Sequence, residues 1–287
     1  MRAYSLHIGV NNVNPVHYNG WDGILACCEN DAKFYSEVAG KAGITEQTLL
    51  LSSDADEYKR PLTANVNAYL KKQSETLKNG DFLFISYSGH GGQVKDINHD
   101  EDDFQDETWC LWDRQLIDDE LWDHFSRFEA GVKILMVSDS CHSGSMSRGA
   151  GEETATVLPK RYVTREAPRD IGLEAYHNNK QDYADAVRMP LVIKDDIAAS
   201  VLLLGACQDA EKAVEQDGFG LMTGALRKVL LENERPGTYK QVHSRIFDLI
   251  SAIQRPNLFA YGRESALFRE EEMFKIDPKK YFSFIRK

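Results

Sequence analysis

Four apolar residues, Ile134 to Val137, stop abruptly in Ser-Asp-Ser-Cys-His-Ser-Gly. The run has β-branched ends, is too short for a helix and lacks polar alternation, so it suits a strand buried on both faces. A second run, Asp81 to Ser86, ends in Tyr-Ser-Gly-His-Gly-Gly. In an open parallel sheet, chemistry collects beyond the carboxyl ends of the strands. If these two strands are parallel neighbours, Cys141 and His90 face each other across one edge although they are far apart in sequence. A thiol with an imidazole beside it is the pairing a thiol protease needs.

The surrounding chain fits such a sheet. Tyr4 to Val10 and Thr48 to Leu51 read as strands, and Cys27 to Ala39 and Thr63 to Lys78 as helices between them. Alternation of strand and helix predicts a mostly parallel α/β sheet with right-handed connections and helices on both faces. Glu29, Asn30 and Asp31 open the first helix, where acids suit the positive end of its dipole. Leu116 to Phe128 reads as a helix leading to the Cys141 strand. Ser200 to Ala206 reads as a later strand, Leu221 to Leu231 and Tyr239 to Ile253 as helices, and Met273 to Ile276 as an edge strand. Residues 148 to 195 are polar, rich in turn residues, and read as a linker with a helix near Leu173 to Val187. The expectation is one domain over 1–287, with a large half at 1–147 and a small half at 196–287.

Several function classes drop out on charge and hydropathy. A net charge of -11 and no concentrated basic run argue against nucleic acid. No signal peptide or membrane-spanning run is visible, so the expected setting is soluble and cytoplasmic, away from membranes. Cys27, Cys28, Cys110, Cys141 and Cys207 are odd in number and lack metal-site spacing, which speaks against a disulfide framework or structural zinc. The acidic stretch Asp96 to Glu107 partly imitates a calcium loop, with Asp96, Asn98, Asp100 and Glu107 at positions one, three, five and twelve. Glu101 replaces its glycine, however, and no helix pair flanks it.

These residues resemble the caspase-like cysteine proteases, and within them the metacaspases and orthocaspases. The likeness rests on His-Ile-Gly-Val-Asn at 7–11, Cys-Glu-Asn-Asp-Ala at 28–32, Tyr-Ser-Gly-His-Gly-Gly-Gln at 87–93 and Asp-Ser-Cys-His-Ser-Gly at 139–144. Asp-Glu-Thr at 106–108, Asp-Asp-Glu at 118–120 and Gly-Ala-Cys-Gln-Asp-Ala at 205–210 add to it. The resemblance implies a cysteine endopeptidase with Cys141 as nucleophile, His90 as general base and acid, and the backbone N–H groups of Gly91 and Cys141 as oxyanion hole. It also implies that Cys28, Asp31, Ser88 and Asp139 line the pocket for the residue before the cut.

Asp139, two residues before Cys141 on an extended chain, points the same way and brings a carboxylate to the floor of that pocket. An acidic pocket selects arginine or lysine, with Glu211 or Glu215 as extra acids. The expected partners are therefore proteins or peptides with a basic residue at the cut. The linker's Arg148, Lys160, Arg161, Arg165, Arg169, Lys180 and Arg188 are candidate self-cleavage positions. Relatives that bind calcium use acids matching Asp106, Asp118 and Asp119 together with an aspartate where this chain has Arg148. A cation there opposes a divalent ion, so no cofactor is expected to be required. The competing class is a catalytically silent or partner-activated binding module. A dinucleotide loop at Ser88 to Gly92 fails, because Val94 stands where the third glycine belongs.

Overall fold

The computed structural model describes residues 1–95, 105–141, 163–207, 211–277 and 279–285. Arg148, Lys160, Arg161, His142 and most of the acidic stretch lie outside them. The chain builds β1 (Ala3–Gly9), α1 (Cys28–Lys41), β2 (Glu46–Leu51), α2 (Thr63–Thr76) and β3 (Phe82–Ser88). Three short strands come after it, β4 (Gly91–Lys95), β5 (Gln105–Cys110) and β6 (Gln115–Ile117), then α3 (Asp118–Ser126) and β7 (Lys133–Asp139). Next come β8 (Val163–Thr164), α4 (Arg169–Asn178), β9 (Ser200–Gly205), β10 (Val214–Gln216) and β11 (Phe219–Gly220). The chain closes with α5 (Leu221–Glu232), α6 (Tyr239–Ile250), β12 (Asn257–Tyr261) and α7 (Ser265–Phe268).

The main sheet has six strands in the order β12-β9-β7-β3-β1-β2, all parallel except β12. Its central strands are apolar on both faces because both faces are covered. Phe82 and Phe84 of β3 point into a core shared with α1, α5 and α6, whereas Leu83 and Ile85 join α2 and α3 on the opposite side. The same alternation sends Leu135 and Val137 of β7 to the first core, and Ile134 and Met136 to the second. Each fully buried leucine or isoleucine in these layers contributes about 2 kcal/mol by leaving water. His7 is core as well: its Nδ1 lies 2.8 Å from the Ser86 hydroxyl, and burial pushes its pKa down to about 3, so it packs as a neutral ring.

Three expectations need correcting. Leu116 and Ile117 belong to strand β6, and the helix starts only at Asp118; Glu120 accepts the Ile117 N–H and pairs with Arg114, which fixes that start. The helix expected at Leu173 to Val187 lies earlier, at α4, and the chain beyond it breaks into 3-10 turns at Lys180–Tyr183 and Ala186–Arg188. The edge strand is β12 and not Met273 to Ile276, whose Met273 and Phe274 serve as core plugs. Two small antiparallel sheets, β4-β5-β6 and β11-β10-β8, stand beside the parallel one. Among the described residues no helix is long and apolar enough to cross a membrane, and all five cysteines are free.

Candidate active site

Register places the two reactive side chains level with one another. Ser88 of β3 pairs with Asp139 of β7, so His90 and Cys141 each stand two residues past the same rung of the sheet. A Cβ on Gly91 would lie 1.9 Å from the Cys141 carbonyl oxygen, so only glycine lets the two strand ends approach this closely. The His90 carbonyl accepts from the Tyr87 hydroxyl at 2.7 Å and from the Cys110 N–H at 3.0 Å, and the Trp21 ring lies 4.8 Å from the imidazole. Burial pushes the His90 pKa down to about 4, helped by the charge of Arg165 and opposed by the backbone carbonyls of Gly23 and Glu166. The imidazole is therefore neutral, and able to accept a proton, at ordinary pH.

Small polar residues past a strand end would leave a cysteine displayed, yet Cys141 is only 1% exposed. Its cover is the chain's own segment at Arg165. The Arg165 carbonyl oxygen accepts from the Gly91 N–H at 2.9 Å and from the Cys141 N–H at 3.3 Å. Two backbone donors converging on one peptide carbonyl beside a thiol are the geometry that steadies a developing oxyanion. The Cys141 thiol accepts from the Ala213 N–H at 3.2 Å. Upstream, β8 pairs antiparallel with β10, and the Arg165 N–H reaches the Ala213 carbonyl at 2.9 Å, so the segment enters as an added strand.

The Arg165 side chain is fully buried among three carboxylates. Its guanidinium lies 2.7 Å from Asp31, 3.0 Å from Asp139 and 3.3 Å from Glu215, and it donates to the Ser88 hydroxyl at 2.8 Å and the Asp139 carbonyl at 2.9 Å. The acids are anchored in turn. Asp31 accepts from the Ser88 hydroxyl and the Gly220 N–H, Asp139 from the Thr223 hydroxyl and N–H, and Glu215 from the Ala26 and Cys27 N–H groups. Burial pushes the Asp31 carboxyl up to about 7 while Arg165 pulls it back, and burial also pushes the Cys28 thiol well up, leaving it a neutral wall beside Glu215.

The structure thus brings Cys28, Asp31, Ser88, Asp139, His90, Gly91 and Cys141 to one end of the sheet. Of the two extra acids expected, Glu215 is in the pocket and Glu211 is not, being paired with Arg255. Gly220 and Thr223 are pocket residues that sequence reasoning does not find. A Cβ on Gly220 would stand 2.3 Å from Asp139 and 2.4 Å from the guanidinium, so its bare backbone is part of the wall. A local signal does single out Glu215: Asp217-Gly218 is a two-residue hairpin turn, both with positive φ, and it folds β10 back on β11 and turns Glu215 inward.

Among the described basic residues of the linker, only Arg165 enters the pocket. Arg169 opens helix α4, and Lys180 and Arg188 sit exposed on 3-10 turns. The Lys194 ammonium stands 3.6 Å from Asp118, and among the described residues no group of three or more His, Cys, Asp or Glu side chains is arranged to hold a metal, the set Asp106, Asp118 and Asp119 included.

The chain is similar to known proteins over most of its length. Residues 4–148 match the model of the metacaspase, peptidase C14 domain. Metacaspase-1 of Schizosaccharomyces pombe is 27% identical over 267 residues, covering 80% of this chain and 60% of that protein. Metacaspase-7 of Arabidopsis thaliana is 34% identical over 168 residues, covering 56% and 40%. The chain therefore spans roughly half the length of these curated relatives. A Geobacter sulfurreducens protein of known crystal structure superposes with a TM-score of 0.83 at 34% identity, over 96% of this chain and all of that one. Caspase-1 of Spodoptera frugiperda shares the fold at a TM-score of 0.55 and 12% identity, over 91% and 87% of the two chains.

Proposed function

The chain belongs to the metacaspase family of C14 peptidases, and from that premise we propose that it is a cysteine endopeptidase that cuts after arginine or lysine and that its own Arg165–Glu166 bond is a substrate. One observation carries the reading: the Arg165 guanidinium is enclosed by Asp31, Asp139 and Glu215 while its carbonyl takes the N–H groups of Gly91 and Cys141.

His90 takes the thiol proton, and the Cys141 thiolate attacks the arginyl carbonyl carbon, forming a C–S bond as the carbonyl electrons move to oxygen. Gly91 and Cys141 hold that oxyanion. As it collapses, the C–N bond breaks and His90 returns the proton to the leaving amine, which here is the nitrogen of Glu166. Water, deprotonated by His90, then cleaves the thioester and frees the arginyl carboxylate. Aspartate before the cut is disfavoured, because a fourth carboxylate among three already buried is repelled. We propose that the reaction is calcium-independent, since a lysine of the chain already pairs with Asp118.

The test is purified wild type beside Cys141→Ala, with fluorogenic peptides ending in Arg, Lys or Asp, in chelator and in calcium, with intact mass followed throughout. Cys141-dependent turnover of Arg and Lys peptides, in chelator as in calcium, and a break after Arg165 are expected. Turnover of Asp peptides overturns the pocket assignment, and a folded, intact and inactive wild type favours a binding module.

A further inference from the structure

The chain is gripped on both sides of the Arg165–Glu166 bond, and the far side carries a charged contact of its own. Gly91 donates its N–H to the Arg165 carbonyl at 2.9 Å and accepts the Ala167 N–H on its own carbonyl at 2.8 Å, so it brackets Glu166 and fixes where that side chain leaves the backbone. The Glu166 carboxylate then lies 2.7 Å from the Lys212 ammonium. Lys212 is held in place by its neighbour. Ala213 accepts the Arg165 N–H and donates to the Cys141 thiol, so both of its backbone groups are committed to the site. The ammonium pairs with Glu166 and also feels Cys141, which puts a positive charge on the thiol's side of the cleft.

Resting on the reading of Arg165–Glu166 as a bound substrate, we infer that Lys212 makes the site select an acidic residue immediately after the cleaved bond. The recognition unit is then bipolar: a cation enters a triad of acids, and an anion one residue later meets a lysine. Opposite charges at adjacent positions also fix register, because a one-residue slip brings an anion to the acids and a reversed peptide mispairs both charges. The Lys212 side chain is 52% exposed and that of Glu166 31%, so the contact tunes selection without being required for turnover.

The experiment uses internally quenched peptides identical except for Glu, Gln or Lys after the arginine. Each is measured with wild type, Lys212→Gln and Lys212→Glu at low and high salt. Wild type is expected to cleave in the order Glu, Gln, Lys, with kcat/KM for Glu over Lys on the order of five- to tenfold, as expected when an exposed attraction becomes a repulsion. The ratio falls to about one in Lys212→Gln, inverts in Lys212→Glu, and shrinks in salt. Equal rates in wild type, or an unchanged order in Lys212→Glu, overturn the inference while leaving the protease intact. Failure of wild type to cleave any of the three peptides overturns the protease reading and this inference with it.

Discussion

Arg165 and Arg169 stand four positions apart in one polar segment, yet their environments are opposite. Arg169 is exposed at the start of α4, and exposure is what ordinarily invites a protease. Arg165 is fully buried, in extended backbone that continues β8 and shares hydrogen bonds with Ala213, Gly91 and Cys141. A helical residue spends its backbone groups within the helix and cannot lie along a cleft as an added strand, whereas an extended one can. If the proposed self-cleavage holds, burial in the right pocket, and not accessibility, marks the bond to be cut.

The largest effect that would break this comparison is with Cys141→Ala: self-cleavage should vanish, and intact mass should show a single full-length species. Next, Arg165→Gln should leave the chain uncut at that bond on the timescale of wild type, while Arg169→Gln and Arg188→Gln are cut normally after Arg165. Mass mapping that finds the cut transferred to Arg169 would defeat the distinction. For added peptides, Asp139→Asn should lower kcat/KM after arginine by on the order of a hundredfold or more, as loss of one partner of a buried ion pair costs about 3 kcal/mol. The Arg-to-Lys preference measured in the same series shows whether the pocket reads charge or the planar fork.

The smallest effect concerns pH. The Asp31 pKa is raised to about 7 by burial, so its charged, arginine-binding form grows as pH rises through that value; KM for arginyl peptides should fall from pH 6 to pH 8. The same shift lowers the stability of the fold as pH rises from the unfolded value near 3.8 up to about 7, because there the native state holds the extra proton. His90, at about 4, adds no second limb between pH 6 and pH 8. A profile in which kcat rather than KM moves near pH 7 would instead place a titrating base in that range.

The strands that end at His90 and Cys141 are legible because a run apolar on both faces has few alternatives, and the small polar residues after each run mark its end. The acidic character of the pocket is legible at Asp139 through the two-residue strand period, and at Cys28, Asp31 and Ser88 only through the family resemblance. The identity of its third acid is harder to read. Glu211 and Glu215 are both acids on the same short stretch, and only the downstream Asp217-Gly218 hairpin, which turns Glu215 inward, separates them. Leu116 to Phe128 reads as one helix, and the strand at Leu116 and Ile117 is missed because so short an apolar start has no period of its own. Which linker residue fills the pocket lies beyond sequence reasoning, because the seven nominated basic residues share one polar setting and only tertiary placement tells them apart.

Strand β9 belongs to the chain after Arg165, yet it lies hydrogen-bonded between β7 and β12 in the main sheet, and α4, also beyond the bond, packs against β4. The two pieces made by a break at 165 would therefore remain braided through one sheet and a common core. On the proposed reading such a break would be a latch released in place: fragments would part on a denaturing gel while the native particle keeps its size, and the new arginyl carboxylate would be left at the Gly91 and Cys141 N–H groups.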